Sequence, residues 1–295
     1  MSTDAAQRRT DLSSRLRAVA APLLLMVLII ALWQFLTWLF EIKAYVLPAP
    51  SAIAVEIVSD RAVIFSQLRV TLFEIFAGYL LAVIVGFVLS VLIVYLPAFR
   101  RGVLPLIVAS QTIPVIAIAP ILVIWFGYNA LPRIIITALV AFFPLTVNFV
   151  TGLQSVSAEF INFFRSLNAS EAQIFRKLRF PAALPNVFAG LKVASTLAVI
   201  GATIGEWVGA SAGLGYLMSQ DSAQLNTTRV FASLVVLGTV GMLFFAAVGL
   251  IERLCMPWVY GRLQAGWLPH WFERSRPNQE HGRIAQSLPR NVDAR

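Results

Sequence analysis

The sequence predicts an all-α, polytopic membrane protein with about six transmembrane helices. Composition, continuous apolar runs and the sidedness of positive charge carry that expectation. Of 295 residues, 59% are hydrophobic and 13% charged, with a mean hydropathy of +0.80. Apolar runs of ~20 residues read as membrane helices, because only a helix satisfies its own backbone in hydrocarbon. The runs are continuous and lack the alternation of a membrane β-barrel.

The formal net charge of +9 is distributed by side rather than gathered into a patch. Arg8, Arg9, Arg15 and Arg17 precede the first apolar run, and further arginines follow from Arg253 onward. Basic residues flanking spans on one side are a positive-inside signature, which argues against nucleic acid as the partner and for the lipid bilayer. Cys255 is the only cysteine, so no intramolecular disulfide and no cysteine-based metal site is expected.

Taken in order, the expected spans cover about 19–40, 67–95, 103–125, 132–153, 187–209 and 229–252, within a membrane domain at 19–256. Residues 1–18 form a basic cytoplasmic N-terminus. The first run exceeds the 7–15 residues of a signal-peptide core and lacks a clear cleavage site, so it reads as an uncleaved span. With the N-terminal arginines inside, the inner loops carry Arg100, Arg101, Arg165, Arg176, Lys177 and Arg179. The outer loops hold Lys43, Arg61, Arg133 and Arg229 against Glu41, Glu56, Asp60 and Asp221. Both termini are therefore expected in the cytoplasm.

After the first span, Leu47-Pro48-Ala49-Pro50-Ser51 stops the helix, and Ser51 can cap a short surface helix reaching about Asp60. Pro105, Pro114 and Pro120 make the third span the least regular. Ser211–Thr228 is a Gly- and Ser-rich outer loop, either a gate or a connector. Residues 257–295 read as a cytoplasmic, largely disordered tail, polar, arginine-rich and aperiodic from 264 on. No internal repeat supports an inverted-repeat carrier.

The informative interruption is residues 157–186, which topology places in the cytoplasm. Phe160, Phe163, Phe164 and Leu167 lie at i, i+3, i+4 and i+7, an apolar stripe on a short helix. Asn168 suits the left-handed conformation of a helix end. Ser170-Glu171-Ala172-Gln173 has the form of a capping box. Arg176, Lys177 and Arg179 make the second helix basic, and Pro181 and Pro185 are expected to end it before the fifth span. Such a hairpin can lie on anionic lipid or fill a groove in a soluble partner.

Here the sequence resembles a known family. Ser166-Leu167-Asn168-Ala169-Ser170, Phe175-Arg176-Lys177, Phe180-Pro181-Ala182-Ala183-Leu184-Pro185 and Ala189-Gly190-Leu191-Lys192 look like the EAA loop of bacterial ABC-importer permeases. The resemblance covers most of residues 47–258. It departs where Asn162-Phe163-Phe164 stands for Glu-Ala-Ala and Asn168 for the central glycine, which implies a more apolar docking surface. Gln111-Thr112-Ile113-Pro114, Ile124-Trp125-Phe126-Gly127-Tyr128 and Gly205-Glu206-Trp207-Val208-Gly209-Ala210 resemble the nitrate/sulfonate/taurine branch. Ser211-Ala212-Gly213-Leu214-Gly215-Tyr216 looks closer to permeases for thiamine precursors of the hydroxymethylpyrimidine type and for riboflavin.

The resemblance implies a type I ABC-importer permease fold in the bacterial inner membrane. It implies a dimer of ATPase subunits using ATP and Mg, a substrate-binding protein at the outer face, and a second permease copy, with no cofactor on this chain. It also implies that Phe160, Phe163, Phe164, Leu167, Asn168, Ala169, Ser170, Phe175, Arg176, Lys177, Pro181 and Pro185 form the ATPase-coupling surface. The chain has no G-x-x-x-x-G-K-[ST] phosphate loop of its own.

Polar residues within spans are candidate functional groups. Glu206, well inside the fifth span, leads; Gln111, Thr112, Asn148 and Thr203 can line a translocation path or simply bond between helices. Glu74 and Lys192 lie near span ends and can reach headgroups. Gly201, Gly205 and Gly209 form a small-residue stripe suited to close helix packing, within one subunit or between two. An intramembrane enzyme is disfavoured: the only histidines, His270 and His281, lie in the tail, and no aspartate lies in a span. A self-contained carrier could use Glu206 but leaves the hairpin without a purpose.

Overall fold

The structure, a computed structural model, describes the backbone of residues 2–259 and the side chains of 20–259 apart from Leu104 and Val108. The basic side chains of the N-terminus and the tail from 260 onward lie outside the described residues. Two compact units are distinguished, Met1–Ile251 and Glu252–Arg295. In the second, Val259 N–H bonds to Met256 O at 3.1 Å.

Every element among the described residues is helical. The order is α1 (Ser2–Leu39), α2 (Pro50–Ser59), α3 (Arg61–Tyr95), α4 (Pro97–Ser110), α5 (Val115–Phe126), α6 (Ala130–Leu153), α7 (Ala158–Ser166), α8 (Glu171–Ile174), a π-turn (Phe175–Arg179), α9 (Phe180–Gly209), α10 (Leu214–Ala223) and α11 (Thr227–Cys255). Among the described residues, five helical stretches are long and apolar enough to cross a membrane: Ala20–Leu39, Arg61–Tyr95, Ala130–Leu153, Glu171–Gly209 and Thr227–Cys255.

Helices α3, α6 and α9 form the centre, with α6 packed most extensively on α9 and next on α3. Ile64, Leu68, Thr71, Ile75, Gly78, Ala82, Gly86, Ser90 and Ile93 make the buried stripe of α3, spaced by three and four. The opposite faces of α3 are equally apolar yet exposed, as at Phe73, Leu80 and Val88. In a bilayer the buried face is thus marked by small and hydroxyl side chains rather than by hydrophobicity. Gly201 illustrates the close approach: an added Cβ would stand 2.8 Å from Thr137 Cα of α6. Gly205 faces Arg133 of the same helix and Gly209 faces Val123 of α5, so the glycine stripe packs within one chain. Helices α1 and α11 are peripheral; α11 reaches α3 through Phe244, whose ring lies 5.0 Å from Phe76 and 4.8 Å from Tyr79.

Four expectations are corrected. The third span, expected over 103–125, is two helices, α4 and α5, parted at residues 111–114. Pro114 lacks an N–H and disfavours a helical Ile113, and Thr112 and Ile113 instead close tight turns onto Ala109 O and Ser110 O. Ser51 does not cap α2; the helix starts with Pro50 after Ala49, and Ser51 N–H donates to Gln34 Oε1 at 3.0 Å. Half of the outer loop 211–228 is the helix α10, packed on α9 and α3. Pro181 and Pro185 do not end the hairpin's second helix. Backbone geometry stays helical through Phe175 (φ −60°, ψ −56°) and Phe180 (φ −65°, ψ −47°), so α8, the π-turn and α9 form one 39-residue rod. Phe180 N–H bonds back to Phe175 O, five residues earlier. That widened turn accommodates the helix ahead of a proline that can neither donate nor fit a tight coil.

Candidate functional site

The hairpin at the Glu171 end of the rod is built by local chemistry. Asn168 adopts φ +59°; its N–H donates to Arg165 O at 2.9 Å and Ala169 N–H donates to Phe164 O at 3.1 Å. This is a Schellman closure of α7 with asparagine in the left-handed position. Ser170 then caps α8: Gln173 N–H donates to Ser170 Oγ at 3.3 Å, and Ser170 N–H donates to Gln173 Oε1 at 2.9 Å. Arg165 spans the turn to Glu171 Oε1 at 2.8 Å.

Two buried residues, Ile161 and Ile174, face the hairpin toward the helix bundle. Aromatic rings continue that attachment: Tyr95–Phe175 at 6.2 Å, Phe175–Phe180 at 5.9 Å and Phe180–Phe87 at 6.4 Å. Arg179 lies 5.6 Å from the Tyr95 ring and donates to Leu153 O at 3.1 Å. The outer stripe is left bare. Phe160, Phe163 and Leu167 are 61%, 58% and 64% exposed, while Phe164 is half-buried. Ala172, Gln173, Arg176 and Lys177 line a shallow basic cleft of ≈ 450 Å³. Pro181 is half-buried and Pro185 exposed.

At the Gly209 end of the rod lies a buried polar cluster. Glu74 and Glu206 are 0% and 1% exposed. Arg133 Nε stands 3.0 Å from Glu74 Oε1, an ion pair whose N–H is not aligned for a hydrogen bond. The sequence expectations that Glu74 reaches headgroups and that Arg133 sits in an outer loop are both overturned: α3 and α6 bring the two together at the core. Around them, the segment after α9 is held by side chains. Arg133 Nη1 donates to Ala212 O at 3.4 Å, Gly213 N–H to Gln67 Oε1 at 2.7 Å, Leu214 N–H to Thr71 Oγ1 at 2.8 Å, and Gly215 N–H to Glu206 Oε2 at 2.5 Å. Nearby, Arg229 bridges Asp221, through Nε at 2.8 Å, and Asp60, through Nη1 at 3.0 Å, with a second contact from Nη2 to Asp221.

The other polar candidates are not brought together. Gln111 and Thr112 are exposed in the break between α4 and α5, where Thr112 Oγ1 donates to Ala109 O. Asn148 donates to Pro144 O at 2.7 Å and packs against Gly190. Thr203 donates to Val199 O and lines an apolar groove of ≈ 950 Å³ between α9, α10 and α11, alongside Trp207, Met218 and Phe245. Sequence reasoning missed Gln67, Thr71 and Arg133. The available signal was depth: Glu74, Arg133 and Glu206 sit at the same end of three successive central helices. Among the described residues, no group of three or more His, Cys, Asp or Glu could hold a metal.

Residues 78–256 match the family model described as binding-protein-dependent transport system inner membrane component. The chain belongs to that family. It is 38% identical, over 80% of its length and 95% of the relative's, to the formylaminopyrimidine transport permease protein ThiX of Halalkalibacterium halodurans. It is 31% identical, over 82% of its length and 90% of the relative's, to the riboflavin transport system permease protein RibX of Chloroflexus aurantiacus. It is 30% identical, over 80% and 86%, to the putative aliphatic sulfonates transport permease protein SsuC of Bacillus subtilis. A chain of the MetNI methionine ABC transporter, in an inward-facing conformation, matches with a TM-score of 0.59 at 21% identity, covering 66% of this chain and 97% of that one. The fold is that of a type I ABC-importer permease, and the chain is a multi-pass permease subunit rather than an enzyme.

Proposed function

We propose that this permease imports a thiamine precursor of the hydroxymethylpyrimidine type, or riboflavin, handed over by a binding protein at the outer face. The observation that carries the substrate is the near full-length similarity to the formylaminopyrimidine permease, at 38% identity. The driving force comes from a separate pair of ATPase subunits that hydrolyse ATP with Mg. Two permease copies enclose the path, and both termini face the cytoplasm.

The hairpin is the coupling element. Phe160, Phe163 and Leu167 present an apolar stripe that no described residue covers, and Arg176 and Lys177 add a basic rim. Asn168, Ala169 and Ser170 fix the turn that presents this surface, while Phe175 and Arg179 bind it to the bundle.

The test is growth rescue. The permease is expressed with its own ATPase and binding protein in a pyrimidine-requiring thiamine auxotroph, beside a riboflavin auxotroph and strains dependent on taurine, alkanesulfonate or nitrate. Rescue of the pyrimidine or riboflavin strain at low external solute is expected. Growth restored only on taurine, alkanesulfonate or nitrate would overturn the substrate and assign the sulfonate-type alternative instead, which the 30% identity to the sulfonate permease favours.

A further inference from the structure

The buried cluster at the outer end of α9 has a geometry that helix packing alone does not require. Three successive backbone donors, Gly213, Leu214 and Gly215, each meet a different side chain from two helices: Gln67 and Thr71 on α3, and Glu206 on α9. The preceding carbonyl, Ala212 O, accepts from Arg133 on α6. All three central helices therefore hold one four-residue segment by its backbone.

The segment is shaped to receive Glu206. Gly213 has φ +117°, a conformation open to glycine, and a Cβ there would overlap the Glu206 carboxylate. At Gly215 an added Cβ would lie 2.9 Å from Glu206 Oε2. Leu214 is fully buried immediately beyond this turn. Carboxylate, glycine pair and buried leucine make a latch. Glu206 stands on the rod that begins at Glu171 in the coupling hairpin. At ~1.5 Å per residue the rod is about 58 Å long, nearly twice the ~30 Å hydrocarbon core.

We propose that Glu206 is a positioning residue that latches the segment 212–215 to the outer ends of α3, α6 and α9, so that movement imposed on α10 from outside is carried along the Glu171–Gly209 rod to the hairpin. The link from latch to hairpin rests on the coupling role given above; the latch itself does not. A side-chain carboxylate bonded to a main-chain N–H transmits position in a way that lipid-facing apolar contact does not, because its geometry is directional. The Arg133–Glu74 pair completes the device by holding Ala212 O and by supplying the positive charge that two buried carboxylates need.

Two measurements test it. Hydrogen exchange by mass spectrometry on the full chain in nanodiscs should show peptides covering 211–218 exchanging at least tenfold faster in Glu206→Ala than in the parent, with Glu206→Gln in between, since its carbonyl oxygen still accepts from Gly215. Peptides from 42–60 serve as the reference. Unchanged exchange at 211–218 in Glu206→Ala removes the latch, whatever the protein transports. In liposomes holding the whole transporter, the ratio of binding-protein-stimulated to basal ATP hydrolysis should fall at least fivefold in Glu206→Ala and recover in part in Glu206→Gln. A merely structural loss lowers both rates together and leaves the ratio where it was, and that result overturns the positioning role. If the parent chain forms no complex with an ATPase, the coupling reading fails while the exchange experiment still decides the latch.

Discussion

The two ends of the Glu171–Gly209 rod, outer at Gly209 and inner at Glu171 in the orientation proposed above, are fastened by different chemistry. At the outer end, Glu206, Arg133, Glu74 and Thr71 are buried, and directed polar contacts hold a backbone segment. At the inner end, tilted rings of Tyr95, Phe175 and Phe180 and the Arg179 hydrogen bond to Leu153 O hold the hairpin, while an apolar stripe beside them stays exposed. Directed buried contacts tolerate little change, because removing one partner strands the other. Ring contacts are less directional than buried hydrogen bonds and tolerate more substitution, so the inner end can hold its own attachment and still leave apolar surface bare. The difference predicts that similar substitutions act on folding at one end and on association at the other.

The largest expected effect is at Arg133. Replacing it with alanine leaves Glu74 and Glu206 buried without their cation, and breaking a buried pair in this way typically costs ~3–5 kcal/mol. Thermal unfolding in detergent, followed by size-exclusion recovery after heating, should show a large drop for Arg133→Ala. The double variant Arg133→Ala with Glu74→Gln should regain part of it, since a neutral amide relieves the stranded charge. A single variant as heat-resistant as the parent would mean that the outer end is not held by this pair.

Next is the close packing of α9 on α6. Gly201→Val adds atoms 2.8 Å from Thr137 Cα, so backbone must move, and overpacking of this kind costs ~1–3 kcal/mol. Gly238→Val on α11 is the matched control, because among the described residues nothing lies within 4 Å of its added Cβ. The same unfolding assay should separate the two variants clearly. Equal stability would show that the helices can slide apart without loss.

Much of this architecture was legible in the chain, for local reasons. Residues 157–186 encode their own turn: the Ser170–Gln173 capping box and the left-handed Asn168 are interactions between neighbours, and both occur as the spacing predicts. Membrane-length apolar runs likewise need only the next few residues to be read. What was hidden depends on partners far apart in sequence. Glu74 meets Arg133 across two helices, and Thr71 meets Leu214 across 143 positions; no local pattern encodes either. The prolines misled for a different reason. Pro181 and Pro185 look like a stop, yet the π-turn at Phe175–Arg179 absorbs the misfit and lets the helix continue. That outcome makes the hairpin's second helix the end of a membrane-spanning rod.

At the inner end, the sharper comparison is Phe160→Ser with Phe163→Ser. Both rings are more than half exposed, so unfolding of the isolated chain should hardly change. Co-purification with the ATPase subunit should instead fall at least tenfold, about 1.4 kcal/mol. Retained association would assign the stripe to the lipid surface rather than to a protein groove.

The smallest effects separate the two devices that shape the hairpin itself. Ser170→Ala removes a side-chain cap, a loss typically of ~1 kcal/mol. Arg165→Ala removes an ion pair whose side chains are 54% and 52% exposed, and such pairs contribute only ~0.2–1 kcal/mol because water and salt screen them. Neither change should register in global unfolding, since the hairpin can loosen while α3, α6 and α9 stay packed. Hydrogen exchange over 165–175 reads that local opening directly. The capping change should accelerate exchange about fivefold, and the ion-pair change should do so by less, with the difference shrinking further at high salt. If Arg165→Ala loosens the turn more than Ser170→Ala, charge rather than backbone capping sets the hairpin.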